Sequence, residues 1–130
     1  MYSFSSFAEF ATLRDSIKKE LAQSCEEDAL RLFIAINEGV NNAIFHGNKE
    51  DITKKVYLTI AKFPHEMQIT IRDEGEGFLH SKISETTELW QEDGRGLELI
   101  KYYVDSFSLN EKGNEITFVK KINTDYCKAF

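Results

Sequence analysis

"EGVNNAIFHGN", Glu38 to Asn48, is the stretch on which the reading of this chain turns. The residues ahead of it, "LRLFIAI" (Leu30 to Ile36), have the spacing of a buried apolar helix. That pattern continues through Val40, Ala43, Ile44 and Phe45, yet Glu38, Asn41, Asn42 and His46 are threaded into the same run. Gly47 and Asn48 then read as a helix terminator. After them the period changes from helical to two: "VYLTIAKF" alternates Val56, Leu58 and Ile60 against Tyr57, Thr59 and Ala61. The chain thus carries a polar set on an apolar helix, followed at once by sheet.

Working outward, two start signals precede the stretch. "SFAE" (Ser6 to Glu9) has capping-box spacing and is followed by Phe10, Leu13, Ile17 and Leu21 at helical intervals. "SCEE" (Ser24 to Glu27) repeats the signal and predicts a second helix from there to about His46. Downstream, "FPHE" is a turn and "MQITIRD" alternates through Met67, Ile69 and Ile71, which predicts a hairpin. An irregular stretch follows, and a third helix is expected from near Gly96 in "GLELIKYYV". Two last strands, "SFSLN" and "EITFVKKI", flank the turn "EKGN". The expected architecture is an α/β two-layer sandwich: a mostly antiparallel, mixed sheet packed against about three helices.

Length and charge set limits. The 130 residues suit a single domain spanning residues 1–130, with no repeat or linker and one proline, Pro64. A net charge of −6 argues against a nucleic-acid partner held by phosphate neutralisation, although a nucleotide in a local pocket is compatible with it. No apolar run approaches the roughly 20 residues of a membrane span, and the N-terminus lacks the pattern of a signal peptide. The two cysteines, Cys25 and Cys127, have no CxxC spacing and are expected as free thiols in a reducing cytosol.

Four of the seven glycines form two G-x-G pairs, in "DEGEGF" (Asp73 to Phe78) and "GRGLELI" (Gly94 to Ile100). The first follows a strand. The second opens a helix, whose free N–H groups suit a phosphate. Neither is a Walker A loop, and neither follows the first strand of a βαβ unit. Glu38 and Asn42, four apart, share a helix face. An amide oxygen is a hard ligand suited to Mg²⁺, and a carboxylate one turn away can take a hydroxyl proton. Asp73 at a strand end can accept a hydrogen bond from an exocyclic amine. Together these describe an ATP site.

The order E-x-x-x-N, D-x-G-x-G, G-x-G-L resembles the boxes of the GHKL ATPases, the group of gyrase, the histidine kinases and MutL, whose ATP-binding architecture is the Bergerat fold. Within that group, "NEGVNNAIFHGN" and "GRGLELIKYYVDSFSLNEKGNEITFVKKI" are similar to the small bacterial anti-sigma factors that are also serine/threonine protein kinases. The resemblance covers nearly the whole chain. It implies that Glu38 is the catalytic base, that Asn42 is the Mg²⁺ ligand, and that Asp73 accepts the adenine amino group. Gly75 and Gly77 would wall the base, and Gly94, Arg95, Gly96 and Leu97 would form the phosphate-side loop. It also implies ATP and Mg²⁺ as cofactors, a sigma factor as partner, a STAS-domain anti-anti-sigma protein as phosphorylated antagonist, a homodimer, and a cytoplasmic location. From its place between the two glycine loops, the 74–93 segment reads as an ATP lid anchored by Trp90, with a packed short helix over Lys82 to Trp90 as the equal alternative.

Three departures stand out. The strand such relatives place before the first helix is reduced here to "MYSF". The arginine often found two residues before the phosphate-side loop is replaced by Glu92, leaving Arg95 as its substitute. Gly39 stands where alanine is common, at a cost of ~1 kcal/mol of helix stability unless packing requires it. Plainer roles stand beside these: His46 as a helix cap or core group, Asn41 as a loop tether, and His65 and His80 as solvent-facing. A non-catalytic ATP-dependent binding switch and a histidine-kinase ATP domain are the competing functions. Glu38 and the lack of an upstream phosphoacceptor helix weigh against the second. A gyrase-like fragment would lack its transducer.

Overall fold

A computed structural model describes residues 1–75 and 100–122. Strand β1 (Tyr2–Phe4) is followed by helices α1 (Phe7–Ser24) and α2 (Glu26–Asn42), and by one π-helical turn over Ala43–Gly47. Strands β2 (Val56–Phe63), β3 (Glu66–Arg72), β4 (Ser106–Leu109) and β5 (Glu115–Lys121) complete the sheet. Its order is β1-β2-β3-β5-β4, and every neighbouring pair is antiparallel. Residues 100–103 are helical; the expected start of that helix near Gly96 lies outside the described residues.

The sheet buries one face. Leu58, Ile71 and Ile116 stand in one row across β2, β3 and β5, and Ile60, Ile69 and Phe118 in the next. All but Ile60 are buried under the helices. The outer face is polar: Thr70 and Thr117 hydroxyls meet at 3.2 Å, and the Arg72 guanidinium lies 5.0 Å from the Tyr57 ring. Alternation of period two therefore produces the two-layer α/β sandwich that the sequence predicts.

"MYSF" does form the first strand. It pairs with β2 from Tyr2↔Leu58 to Phe4↔Val56, and the Tyr2 hydroxyl donates to Glu20 Oε1 at 2.6 Å. The α1 cap is as predicted: Ser6 Oγ accepts from the Glu9 N–H, and Glu9 returns to the Ser5 N–H.

Three expectations are corrected. The second helix does not start from a Ser24 cap. Ser24 is the last residue of α1, Cys25 alone joins the helices, and α2 opens with Glu26, Glu27 and Asp28 against its N-terminal partial charge. Nor does α2 run unbroken to His46, because it widens into the π turn after Asn42. The helical segment still ends at Gly47 with Asn48 as its cap, as the sequence predicts, and the left-handed residues that follow are Lys49 and Glu50, with φ of 53° and 60°. Finally, Cys25 is buried and disulfide-bonded rather than a free thiol. The chain's other cysteine, Cys127, lies outside the described residues, and separation in sequence gave no hint of pairing.

Gly39 is explained by packing. A Cβ there would lie 2.6 Å from Ile71 Cδ1 and 3.2 Å from Phe118 Cζ. The missing side chain lets α2 settle onto β3 and β5, which sets the depth of the polar residues that follow it.

Candidate functional site

Among the described residues three polar or charged side chains are buried: Asn42, Asn48 and Asp73. They sit together at the end of α2 and the end of β3. Burying such groups is costly unless they are bonded, so three at one place mark a site rather than a core.

Asp73 follows β3. Its N–H donates to the Asn114 carbonyl at 2.9 Å, and Asn114 Nδ2 donates back to the Asp73 carbonyl at 3.0 Å. Its own Oδ1 accepts from the Gly75 N–H at 2.8 Å. Loss of water around the carboxyl pushes its pKa up to about 6; the Gly75 N–H, Lys112 and Lys54 pull the other way and do not overcome burial. The glycines beside it are dictated by space. A Cβ on Gly47 would overlap the Asp73 carboxylate, and one on Gly75 would overlap the Gly47 carbonyl. Gly47 is therefore more than a helix terminator.

A cleft beside Asp73 is lined by Gly39, Asn42, Ala43 and Ile71 on one side and by Leu109, Gly113, Asn114, Glu115 and Ile116 on the other. The β4–β5 turn that forms the second wall is organised by one side chain. Asn110 Oδ1 accepts from the N–H groups of Gly113, Asn114 and Glu115 at 2.7, 3.0 and 3.2 Å, while its Nδ2 donates to Asn114 Oδ1 at 2.8 Å. Gly113 supplies the φ of 80° that the turn requires.

A second, open pocket of about 530 Å³ adjoins the first and is lined by Glu38, Asn41, Asn42, Phe45 and His46. Glu38 and Asn42 thus face the same space, as their spacing predicts. Asn42 lines both pockets, and its Nδ2 is the one buried side-chain nitrogen or oxygen among the described residues without a hydrogen-bond partner. A buried amide with an open end is a group waiting for a ligand. The structure brings together Glu38, Asn42, Asp73 and Gly75. Gly77, Gly94, Arg95, Gly96 and Leu97 lie outside the described residues, as do His80, Glu92, Trp90 and all of the expected 74–93 lid beyond Gly75. His65 is exposed, as expected.

The profile of the histidine kinase-like ATPase domain matches residues 5–120. The chain belongs to that family. An ATPase domain of this family implies ATP binding. Among curated relatives, an anti-sigma F factor of Oceanobacillus iheyensis is 30% identical over 126 residues, covering 89% of this chain and 80% of the relative. Anti-sigma F factors of Anoxybacillus flavithermus and Bacillus subtilis are each 29% identical, over 92 and 96 residues. Those alignments cover 67% and 68% of this chain but 63% and 66% of the two relatives, so the match falls just short of two thirds of their length.

Sequence reasoning missed Asn48, Asn110 and Asn114. The "GN" pair in the last turn marked a turn, but nothing in the sequence announced that the turn walls the cleft. Among the described residues no helix is long and apolar enough to cross a membrane.

Proposed function

We propose that this histidine kinase-like ATPase domain is an ATP-dependent anti-sigma regulator that transfers a phosphoryl group to a serine or threonine hydroxyl of a STAS-type antagonist. The observation that carries the reading is Asn42: a buried amide whose Nδ2 has no hydrogen-bond partner, between an acidic acceptor, Asp73, and a half-buried carboxylate, Glu38. The names of its relatives support a sigma factor as the other partner, and hence a cytoplasmic setting. A homodimer is part of the same proposal.

The donor set fits ATP and Mg²⁺. Asp73 as a carboxylate accepts from an exocyclic amine. The Asn42 amide, turned over, presents Oδ1 where Nδ2 now stands. No group of three or more acidic, histidine or cysteine ligands occurs among the described residues, and Mg²⁺ beside a nucleotide needs only one or two protein ligands. Asn42 would hold the ion, which would supply charge neutralisation on the phosphates. Glu38 has the chemistry of a general base. It takes the proton of the partner hydroxyl while that oxygen bonds to the γ-phosphorus and the bond to the bridging oxygen of ADP breaks. Gly94, Arg95, Gly96 and Leu97 would steady the phosphates.

The test separates binding from chemistry. Glu38→Gln keeps ADP affinity by calorimetry, because the base contacts lie on other segments. Transfer from labelled ATP to proteins of a bacterial extract falls by ~10²–10⁴-fold. Asn42→Ala loses Mg²⁺-dependent affinity as well. Undiminished transfer by Glu38→Gln removes the base assignment. Nucleotide binding with no transfer by the wild type leaves the non-catalytic switch.

A further inference from the structure

We propose that Asn48 is a positioning residue that sets the preference of this site for adenine. The inference rests on the reading of Asp73 as the acceptor of an adenine amine. Asn48 does not line the cleft; it is only 3% exposed, and both ends of its amide are committed to backbone. Its Oδ1 accepts from the Glu74 N–H at 2.8 Å, and its Nδ2 donates to the Lys55 carbonyl at 3.1 Å. The Glu74 carboxylate closes the ring by accepting from the Lys55 N–H at 2.5 Å.

The peptide between Asp73 and Glu74 is therefore gripped at both ends. Asn114 Nδ2 holds its carbonyl at 3.0 Å, and Asn48 Oδ1 holds its N–H from the other side. A peptide unit is planar, so two opposed bonds fix its orientation and with it the direction in which Asp73 leaves the chain. Gly47 completes the arrangement, since the Asp73 carboxylate sits in the space that a side chain at position 47 would need. A hydrogen bond to an exocyclic amine is directional and weakens steeply when misaligned. Releasing one end of the peptide should cost the amine contact before it costs general affinity for a nucleotide.

Inosine diphosphate distinguishes the two, because it carries a carbonyl where adenine carries the amine. Calorimetry of the full chain with ADP and with inosine diphosphate, both with Mg²⁺, gives the ratio of affinities, and thermal melting reports the fold. The wild type should prefer ADP. Asn48→Ala should narrow that preference by about tenfold, chiefly through weaker ADP binding, the size of one lost hydrogen bond. Glu74→Ala removes only the bond to Lys55 from an exposed side chain and should narrow it less, by about threefold. Equal binding of the two nucleotides by the wild type overturns the assignment of Asp73, and this inference with it. A wild type that discriminates, beside variants that lose affinity for both nucleotides equally, leaves that assignment standing and makes Asn48 merely structural. Should Asn48→Ala fail to fold, an unchanged ratio in Glu74→Ala overturns the proposal on its own.

Discussion

Asp73 holds a carboxyl whose burial opposes its charge. Its pKa of about 6, against 3.8 when unfolded, means the folded protein binds a proton there that the unfolded chain has released between those values. Stability contributed by the neutral carboxyl is complete below pH ~4 and is lost as pH rises through ~6, on the order of 3 kcal/mol in all. Nucleotide binding has the opposite sign, because the amine needs the ionised acceptor. ADP affinity should rise with pH through that window and level off above it, measurable by calorimetry from pH 5 to 8. Asp73→Asn should therefore melt higher than wild type at pH 7 without nucleotide, since its Oδ1 can still accept from Gly75, yet fail to bind ADP. A variant that binds ADP as tightly as wild type places the base elsewhere.

Helix α2 and its π turn do the positioning. An unbroken α-helix would have continued its apolar face at the regular period; the π turn adds a residue and brings the Gly47 backbone against Asp73. Gly39 lets the whole element lie close to the sheet. Alanine there gains ~1 kcal/mol in helix propensity but must displace the Ile71 methyl, at a cost of ~1–3 kcal/mol, so Gly39→Ala should be destabilising on balance. Ile71→Val removes the Cδ1 atom that a Cβ would meet at 2.6 Å. In that background Gly39→Ala should become neutral or stabilising. Urea denaturation of the four proteins gives the coupling, and additive effects would show that the contact does not set the helix depth.

At the scale of the molecule, the short first strand is an integral part of the fold. Phe4 is buried, its ring lies 5.1 Å from that of Phe10, and Phe10 stacks in turn on Phe33 of α2 at 6.1 Å. Phe4→Ala should cost ~3–5 kcal/mol. That is a large fraction of the 5–15 kcal/mol typical of a domain. Saturating ADP with Mg²⁺ should restore part of the loss, about 2.7 kcal/mol at a hundredfold excess over Kd. Thermal melting of Phe4→Ala with and without nucleotide checks both figures. A variant as stable as wild type would mean that the strand is dispensable.

The elements were legible because they depend on local chemistry. Ser6 and Glu9 cap a helix wherever they stand, and Val56, Leu58 and Ile60 alternate whether or not a partner strand exists. Glu38 and Asn42 could be placed on one face from their spacing alone, and the ordered boxes were enough to indicate the ATPase family. What the sequence did not disclose was decided across the sheet. Asn48 and Asn114 lie far from Asp73 along the chain and grip the peptide after it from opposite sides. The need for Gly39 rests on Ile71 and Phe118, and the need for Gly47 on Asp73. Cys25 likewise ends in a disulfide that spacing did not announce. Periodicity records which face a residue takes; only packing between distant segments decides which backbone that face must touch, and how closely.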